Sequence, residues 1–267
     1  MNVLALSPFD LAIAALLILV LAGLSRRLRI GVERPLLVSA ARSTVQLFLI
    51  GLVLKVLFES AQPLWVALLA AVMLVVAGRE VMVRQKRRFV GGWGFGVGTL
   101  SMFVSSFTVT LLALLLVIGT DPWYAPQYAI PLLGMVLGNT MNGISLGLDR
   151  LTQDAAQGRA VIEARLALGQ DWQRAISDSR REAMRVGIIP IINAMSAAGI
   201  VSLPGMMTGQ ILAGTPPVEA VKYQILVMFL IAGGTGFGTM VAVSLGARRL
   251  FDERQRLRLD RLHLPAN

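Results

Sequence analysis

The chain has 267 residues, 55% of them hydrophobic and only 15% charged, with a mean hydropathy of +0.70 and a net charge of +10. Soluble domains carry nearer a quarter charged residues, so an ordinary soluble domain is excluded, as is a disordered chain. With no cysteine, disulfide scaffolds and thiolate metal sites are excluded too.

Scanning for the length of apolar chain that crosses a bilayer yields seven runs. Phe9–Leu24 comes first; no Lys or Arg precedes it, so it predicts a retained helix over Val3–Ser25 rather than a cleavable signal. Leu36–Phe58 follows, then the short run Leu64–Ala77, Phe95–Ile118 and Ala129–Leu148. The sixth, Val186–Leu212, is interrupted by Pro190 and Pro204, and the seventh is Val221–Leu245. Continuous runs of this kind exclude a transmembrane β-barrel, whose strands alternate.

The basic residues between these runs gather almost entirely on one side. The first connection carries Arg26, Arg27, Arg29 and Arg34, and the third Arg79, Arg84, Lys86, Arg87 and Arg88. The segment Asp149–Arg185 carries Arg150, Arg159, Arg165, Arg174, Arg180, Arg181 and Arg185; the tail from Ala247 carries Arg248, Arg249, Arg254, Arg256, Arg258 and Arg261. Of the 25 basic residues, only Arg42, Lys55 and Lys222 lie elsewhere. By the positive-inside rule, the N-terminus is expected outside and the C-terminus in the cytoplasm. The predicted fold is an all-α integral membrane protein of the cytoplasmic (inner) membrane, a single polytopic domain over residues 1–267. A high pI then reports topology, and nucleic acid is not an expected partner.

Several chemistries lack their residues. No G-x-x-x-x-G-K-[ST] sequence is present, so the chain has no Walker lysine for ATP. Its one histidine, His263, sits near the end, which removes histidine-based zinc sites and Ser-His-Asp triads. No nucleophile–base pair can be assembled, so an enzyme is not expected. The spans carry acidic residues only at their edges, such as Asp10 and Glu219, which weighs against a proton-coupled carrier. The glycine runs 91–98 and 233–238 read as close helix packing rather than phosphate cradles.

The segment 149–185 predicts two short amphipathic helices. Ile162, Leu166, Trp172 and Ile176 recur at helical spacing apart from a turn. Gly169 stands where a helix ends and Asp171 where the next is capped. Ser179 and Glu182 form a capping-box pattern for the helix into span six. Such a pair either lies on the bilayer or docks into a partner. In span five, Gly134/Gly138 and Gly143/Gly147 form two G-x-x-x-G pairs, with Asn139, Asn142 and Ser145 among them. Span six adds Asn193 and the break Leu203-Pro204-Gly205-Met206-Met207-Thr208-Gly209-Gln210. Polar side chains and broken backbone at this depth either pack helices or line a pathway. Arg42, with Gln46 one turn on, either snorkels to lipid phosphate or fixes a positive charge in that pathway. A cation there suits an anionic or chelated substrate better than a bare metal ion. Met206 and Met207 offer soft thioethers, though methionine in apolar helices is ordinarily filler.

Three motifs together, Ala41-Arg42-Ser-Thr-Val-Gln46, Pro-x-x-Gly-Met…Gly-Asn-x-Met…Ser-Leu over 131–146, and Leu-Pro-Gly-Met-Met-Thr-Gly-Gln over 203–210, resemble the FetB/YbbM family of ABC transporter permeases. The likeness covers about residues 35–245. Glu163-Ala164-Arg165-x-x-x-Gly169 is similar to the first half of the EAA loop of such permeases, departing from it at Arg165 and downstream. The resemblance implies a half-transporter: a homodimer of permeases with a separate ATP-binding subunit that supplies ATP and Mg. Bacterial relatives are associated with iron export and plant relatives with aluminium tolerance. It makes Glu163, Ala164, Gly169, Trp172 and Ile176 candidates for coupling to the ATPase. Arg42, Gln46, Asn139, Asn142, Ser145, Asn193, Met206, Met207 and Gln210 become candidates for a pathway between spans two, five and six. No cofactor is expected on this chain. The competing expectations are a nucleotide-independent channel or secondary carrier, and a non-transporting membrane assembly protein whose basic loops bind anionic lipid.

Overall fold

Ser7 opens the first helix: its hydroxyl accepts from the Asp10 amide at 3.3 Å, and the Asp10 carboxylate accepts the Ser7 amide at 2.8 Å. This reciprocal cap satisfies donors that the first turn leaves orphaned. The computed structural model of the protein describes residues 7–60 and 62–263; Val3–Leu6 of the expected first helix lie outside the described residues. Helix α1 is Pro8–Arg27 and α2 Glu33–Ser60, two antiparallel helices that pack chiefly on each other. Then come α3 (Pro63–Val83) and α4 (Trp93–Ile118), the latter loosened into wider π turns at Phe103–Phe107 and Ala113–Ile118 and closed by Gly119. Helix α5 is Pro126–Gln157, α6 Arg159–Ala167, α7 Trp172–Ala175, α8 Ser177–Ala197, α9 Gly205–Leu212 and α10 Pro217–Arg249. Among the described residues there is no β-strand, only isolated bridges.

Six of these helices (α1 to α5 and α10) are long and apolar enough to cross a membrane. The sixth run differs from its expected form. Pro190 does not interrupt it: α8 passes through and continues to Ala197. A proline removes only one helical hydrogen bond, and α8 is held there by contact with α5 and α10. The break falls instead at 198–204, where Gly199 adopts φ +83° and its amide donates to the Ser202 carbonyl at 2.9 Å. Ser179 also lies inside α8 rather than at its start, so its capping box is not formed.

The core forms where α5, α8 and α10 cross, and small residues set their approach. A Cβ on Gly187 of α8 would lie 2.5 Å from the Gly143 carbonyl oxygen of α5 and 2.6 Å from Thr239 Cγ2 of α10. Gly147 meets Val243 as closely, at 2.9 Å, so the pair Gly143/Gly147 packs helices as its spacing predicts. Gly138 faces open space and Gly134 only the end of Met73, so the other pair does not make a helix crossing. Gly234 and Gly238 of the second glycine run press against Val136 and Thr140 of α5, which fits the packing reading of that run. Below them Ile144, Leu148, Leu151, Val243 and Leu250 are fully buried.

Three of the four arginine-rich segments meet at one end of the bundle. The Lys86 amide donates to Asp149 at 2.8 Å, the Val90 amide to the Arg261 carbonyl at 2.8 Å, and the His263 amide to the Arg88 carbonyl at 2.8 Å. The tail from Ala247 is thus folded: Leu250, Phe251 and Leu262 are buried with Phe89.

Candidate functional site

Two groups of candidate residues take shape. At the basic end, the α6–α7 pair forms as its sequence predicts. Gly169 ends α6 with φ +84°, a conformation that costs an L side chain about 1–2 kcal/mol. The Gln170 amide returns to the Arg165 carbonyl at 3.1 Å, and Asp171 accepts the Arg174 amide at 2.8 Å. Arg165 ties the pair together by donating to the Ala175 carbonyl at 3.3 Å and to Asp178 at 2.8 Å. Hydrogen bonds from Arg165 and then Arg181 hold the Asp178 carboxyl below its ordinary value.

The two faces of this pair have different uses. Ile162 and Ile176 are buried and anchor the turn, whereas Ala164 and Glu163 are exposed, Glu163 paired with Arg159 at 2.8 Å. Val161 and Leu168 project beside them, Leu168 with 83% of its surface free. Ile162, Leu166, Trp172 and Ile176, the stripe read from the sequence, face inward; Val161 and Leu168, marked by no motif, face outward. The tail braces the turn from below. Gln255 accepts the orphaned Trp172 amide at 3.0 Å, and the Trp172 and Phe251 rings stand 5.6 Å apart. A groove of about 910 Å³ runs between Glu163, Gly169 and Asp171 on one side and Arg254–Arg258 on the other.

The second group joins α2, α3 and α5. Arg42 donates to Glu80 at 2.6 Å, Arg84 lies 3.8 Å from the same carboxylate, and Arg84 also donates to Asn142 Oδ1. Arg42 lies about 12 Å along α2 from Arg34, at 1.5 Å per residue, while Arg84 directly follows the last residue of α3, so the layer lies at the arginine-rich end of α3. The apolar run ends at Ala77 while α3 continues to Val83, so Arg79, expected in the connection, and Glu80 both lie on the helix, whereas Arg84 caps its end and belongs to the connection as expected. One turn further on the same faces come Gln46, which is exposed, and Asn139, whose Nδ2 donates to the Met135 carbonyl at 2.8 Å. Ser145 is turned inward and donates to the Met141 carbonyl at 2.7 Å, a packing role.

The remaining candidates lie apart from this layer. Asn193 is exposed, Met206 half-buried and Met207 buried, and the Gln210 Oε1 is buried with no partner. Gln224 of α10, unmarked by any motif, is the buried amide that sequence reasoning missed: it lines a cavity of about 510 Å³ with Met195, Met207 and Met228. Among the described residues no hydrogen bond or ion pair links this set to Arg42 and Asn142. No group of three His, Asp or Glu able to hold a metal ion occurs among them either.

Residues 8–251 match the model of an uncharacterised protein family, UPF0014. The chain belongs to this family. A UPF0014 membrane protein of Synechocystis sp. is 41% identical over 226 residues, covering 83% of this chain and 85% of the relative. A protein named "Probable iron export permease protein FetB" from Escherichia coli is 31% identical over 255 residues, covering 93% of each. The Arabidopsis thaliana protein ALUMINUM SENSITIVE 3 is 31% identical over 237 residues, 87% of this chain and 83% of its own length. No solved structure matches. Like its UPF0014 relatives, the protein is a multi-pass membrane protein, and the resemblance to the FetB/YbbM family is borne out.

Proposed function

We propose that the chain is the permease subunit of an ATP-driven exporter, acting in the cytoplasmic membrane as a homodimer with a separate ATP-binding subunit. The observation that carries this reading is the α6–α7 pair: a preformed, internally buried turn that presents Val161, Ala164, Glu163 and Leu168 outward. An exposed apolar tip on a rigid base is what a protein cleft engages. The base connects directly to the core helices, since α6 continues from α5 and α7 runs into α8. Movement of the tip is therefore delivered to the helices that cross at Gly143 and Gly187. ATP and Mg are bound by the partner, and this chain is a transport subunit rather than an enzyme. The name of the Escherichia coli relative supports iron, or another metal or metal complex, as the exported substrate.

The reading predicts that an adjacent gene encodes a Walker-type ATPase, and the test is co-purification with it, followed by ATP-dependent uptake of iron into inside-out vesicles. Uptake that needs both proteins and ATP is expected; flux from this chain alone, without ATP, overturns the reading. Gly169→Val strains the turn by about 1–2 kcal/mol and is expected to abolish stimulation of the ATPase while membrane insertion, read by fractionation, is unchanged.

A further inference from the structure

The layer joining α2, α3 and α5 has more positive than negative charge. Arg42 and Arg84 have no acidic neighbour but Glu80 among the described residues, and one carboxylate cannot neutralise two guanidiniums. Both arginine side chains remain about half exposed, at 47% and 46%, while Glu80 is 19% exposed. Asn142 spends its carbonyl oxygen on Arg84, and its Nδ2 donates to no protein group among the described residues. The layer therefore offers two guanidinium forks and an amide donor, all with unused N–H groups facing accessible space. Guanidinium forks match the paired oxygens of carboxylate and phosphate. An arginine within a helix apolar enough to cross a membrane, as Arg42 is in α2, is costly to keep only partly paired and points to function.

We propose that Arg42, Arg84 and Asn142 bind a small oxyanion, a phosphate or polycarboxylate group, with Glu80 as the resident counter-ion it displaces. The inference rests on the permease reading for its purpose: a metal carried by this protein enters as an anionic complex, not as a bare cation. A bare divalent cation would meet net positive charge here, with a single carboxylate already engaged by two arginines.

The sign of the effect at Glu80 separates the alternatives. The full chain in phosphatidylcholine nanodiscs is titrated with pyrophosphate, citrate, ferric citrate and, as the bare cation, manganese(II). Pyrophosphate or citrate is expected to bind, and Arg42→Gln and Arg84→Gln each to weaken binding by about tenfold or more, the worth of a charge-assisted hydrogen bond. Arg42→Lys, which keeps the charge but loses the fork, is expected to fall between. Glu80→Gln removes the competing carboxylate and is expected to tighten anion binding. A parallel arm uses phosphatidylglycerol nanodiscs, with retained lipid measured by mass spectrometry. Retention lost in both arginine variants, without binding of soluble anions, supports the oxyanion site and assigns its occupant to a lipid headgroup. The proposal is overturned if neither source binds, if the arginine variants bind anions as well as the parent does, or if manganese binds and Glu80→Gln abolishes it. No ATPase is present in these assays, so failure of the ATPase partnership would leave their outcome untouched.

Discussion

The α5–α8–α10 core and the α1–α2 hairpin are held in opposite ways, and the more apolar of the two is the less buried: the most apolar stretch of α5 has a mean hydropathy of 1.3, against 2.2 in α1 and 1.8 in α2. Of the most apolar stretch of α5, 56% is buried inside the protein; of α2, none is. In the core, glycine lets backbones touch: Gly143, Gly187 and Gly238 each sit where a methyl group would collide. In the hairpin, Gly23 and Gly51 face open space, and the polar tie to the rest of the protein is Arg42 on Glu80. Lipid tails are as apolar as leucine, so hydrophobicity alone does not bring membrane helices together. Close contact between small residues does so in the core, and a charged pair does so at the hairpin together with Leu54 and Leu57 packed near Val66 and Leu69.

The largest effect is expected from breaking the core. Gly187→Leu forces α8 off α5 and is expected to cost on the order of 3 kcal/mol, seen as loss of the monodisperse peak in detergent size-exclusion chromatography. Gly51→Leu in the hairpin, with nothing within 4 Å, should leave the peak intact. A comparable loss at Gly51 would show that the hairpin face is packed after all.

The core's hold extends to the tail through Phe251. Phe251→Ala removes the ring beside Trp172 and is expected to red-shift its fluorescence, measured with Trp65, Trp93 and Trp123 replaced by Phe. The α5–α8–α10 core should remain folded, with thermal unfolding followed by circular dichroism shifted to lower temperature, because Phe251 is buried with Leu250 and Phe89.

A smaller effect is expected where the hairpin is tied. Arg42→Gln releases the ion pair with Glu80, worth at most about 1 kcal/mol for a half-exposed pair. It is expected to speed hydrogen exchange in α1 and α2 while exchange in α5 and α10 is unchanged. Equal acceleration in both regions would erase the distinction between them.

The smallest concerns pH at the tail. The Arg258 hydrogen bond holds the Asp260 carboxyl at about 2, and hydrogen bonds from Arg256 lower that of Asp252. Because these folded-state values lie below the ordinary one, near 4, their contribution is complete above that pH. It is lost as pH falls toward about 2. The Trp172 signal is therefore expected to hold at pH 5 and to change only below about 4, before the core unfolds.

Much of this was legible one residue at a time. Apolar length placed six helices, although α3 and α5 run on six and nine residues beyond the ends of their apolar runs, and asymmetry in arginine grouped the segments that meet at the basic end. The α6–α7 turn was readable because its signals are local: a glycine in a left-handed conformation and an aspartate accepting the amide three residues on. Candidate pathway residues were less legible. Asn142 and Ser145 look alike in span five, but one accepts from Arg84 and the other bonds its own helix.

The sequence by itself determined that the protein is helical, membrane-embedded and without a nucleotide-binding loop, because these follow from composition, run length and motif. Only the tertiary structure decided which glycines bear on a neighbour, that the tail folds back beneath Trp172, and that Glu80 belongs to a helix beside Arg42. Those outcomes depend on which faces of distant helices meet. The apolar run that marks α3 stops at Ala77, but its hydrogen-bonded turns continue until partners on α2 and α5 have been supplied with charge.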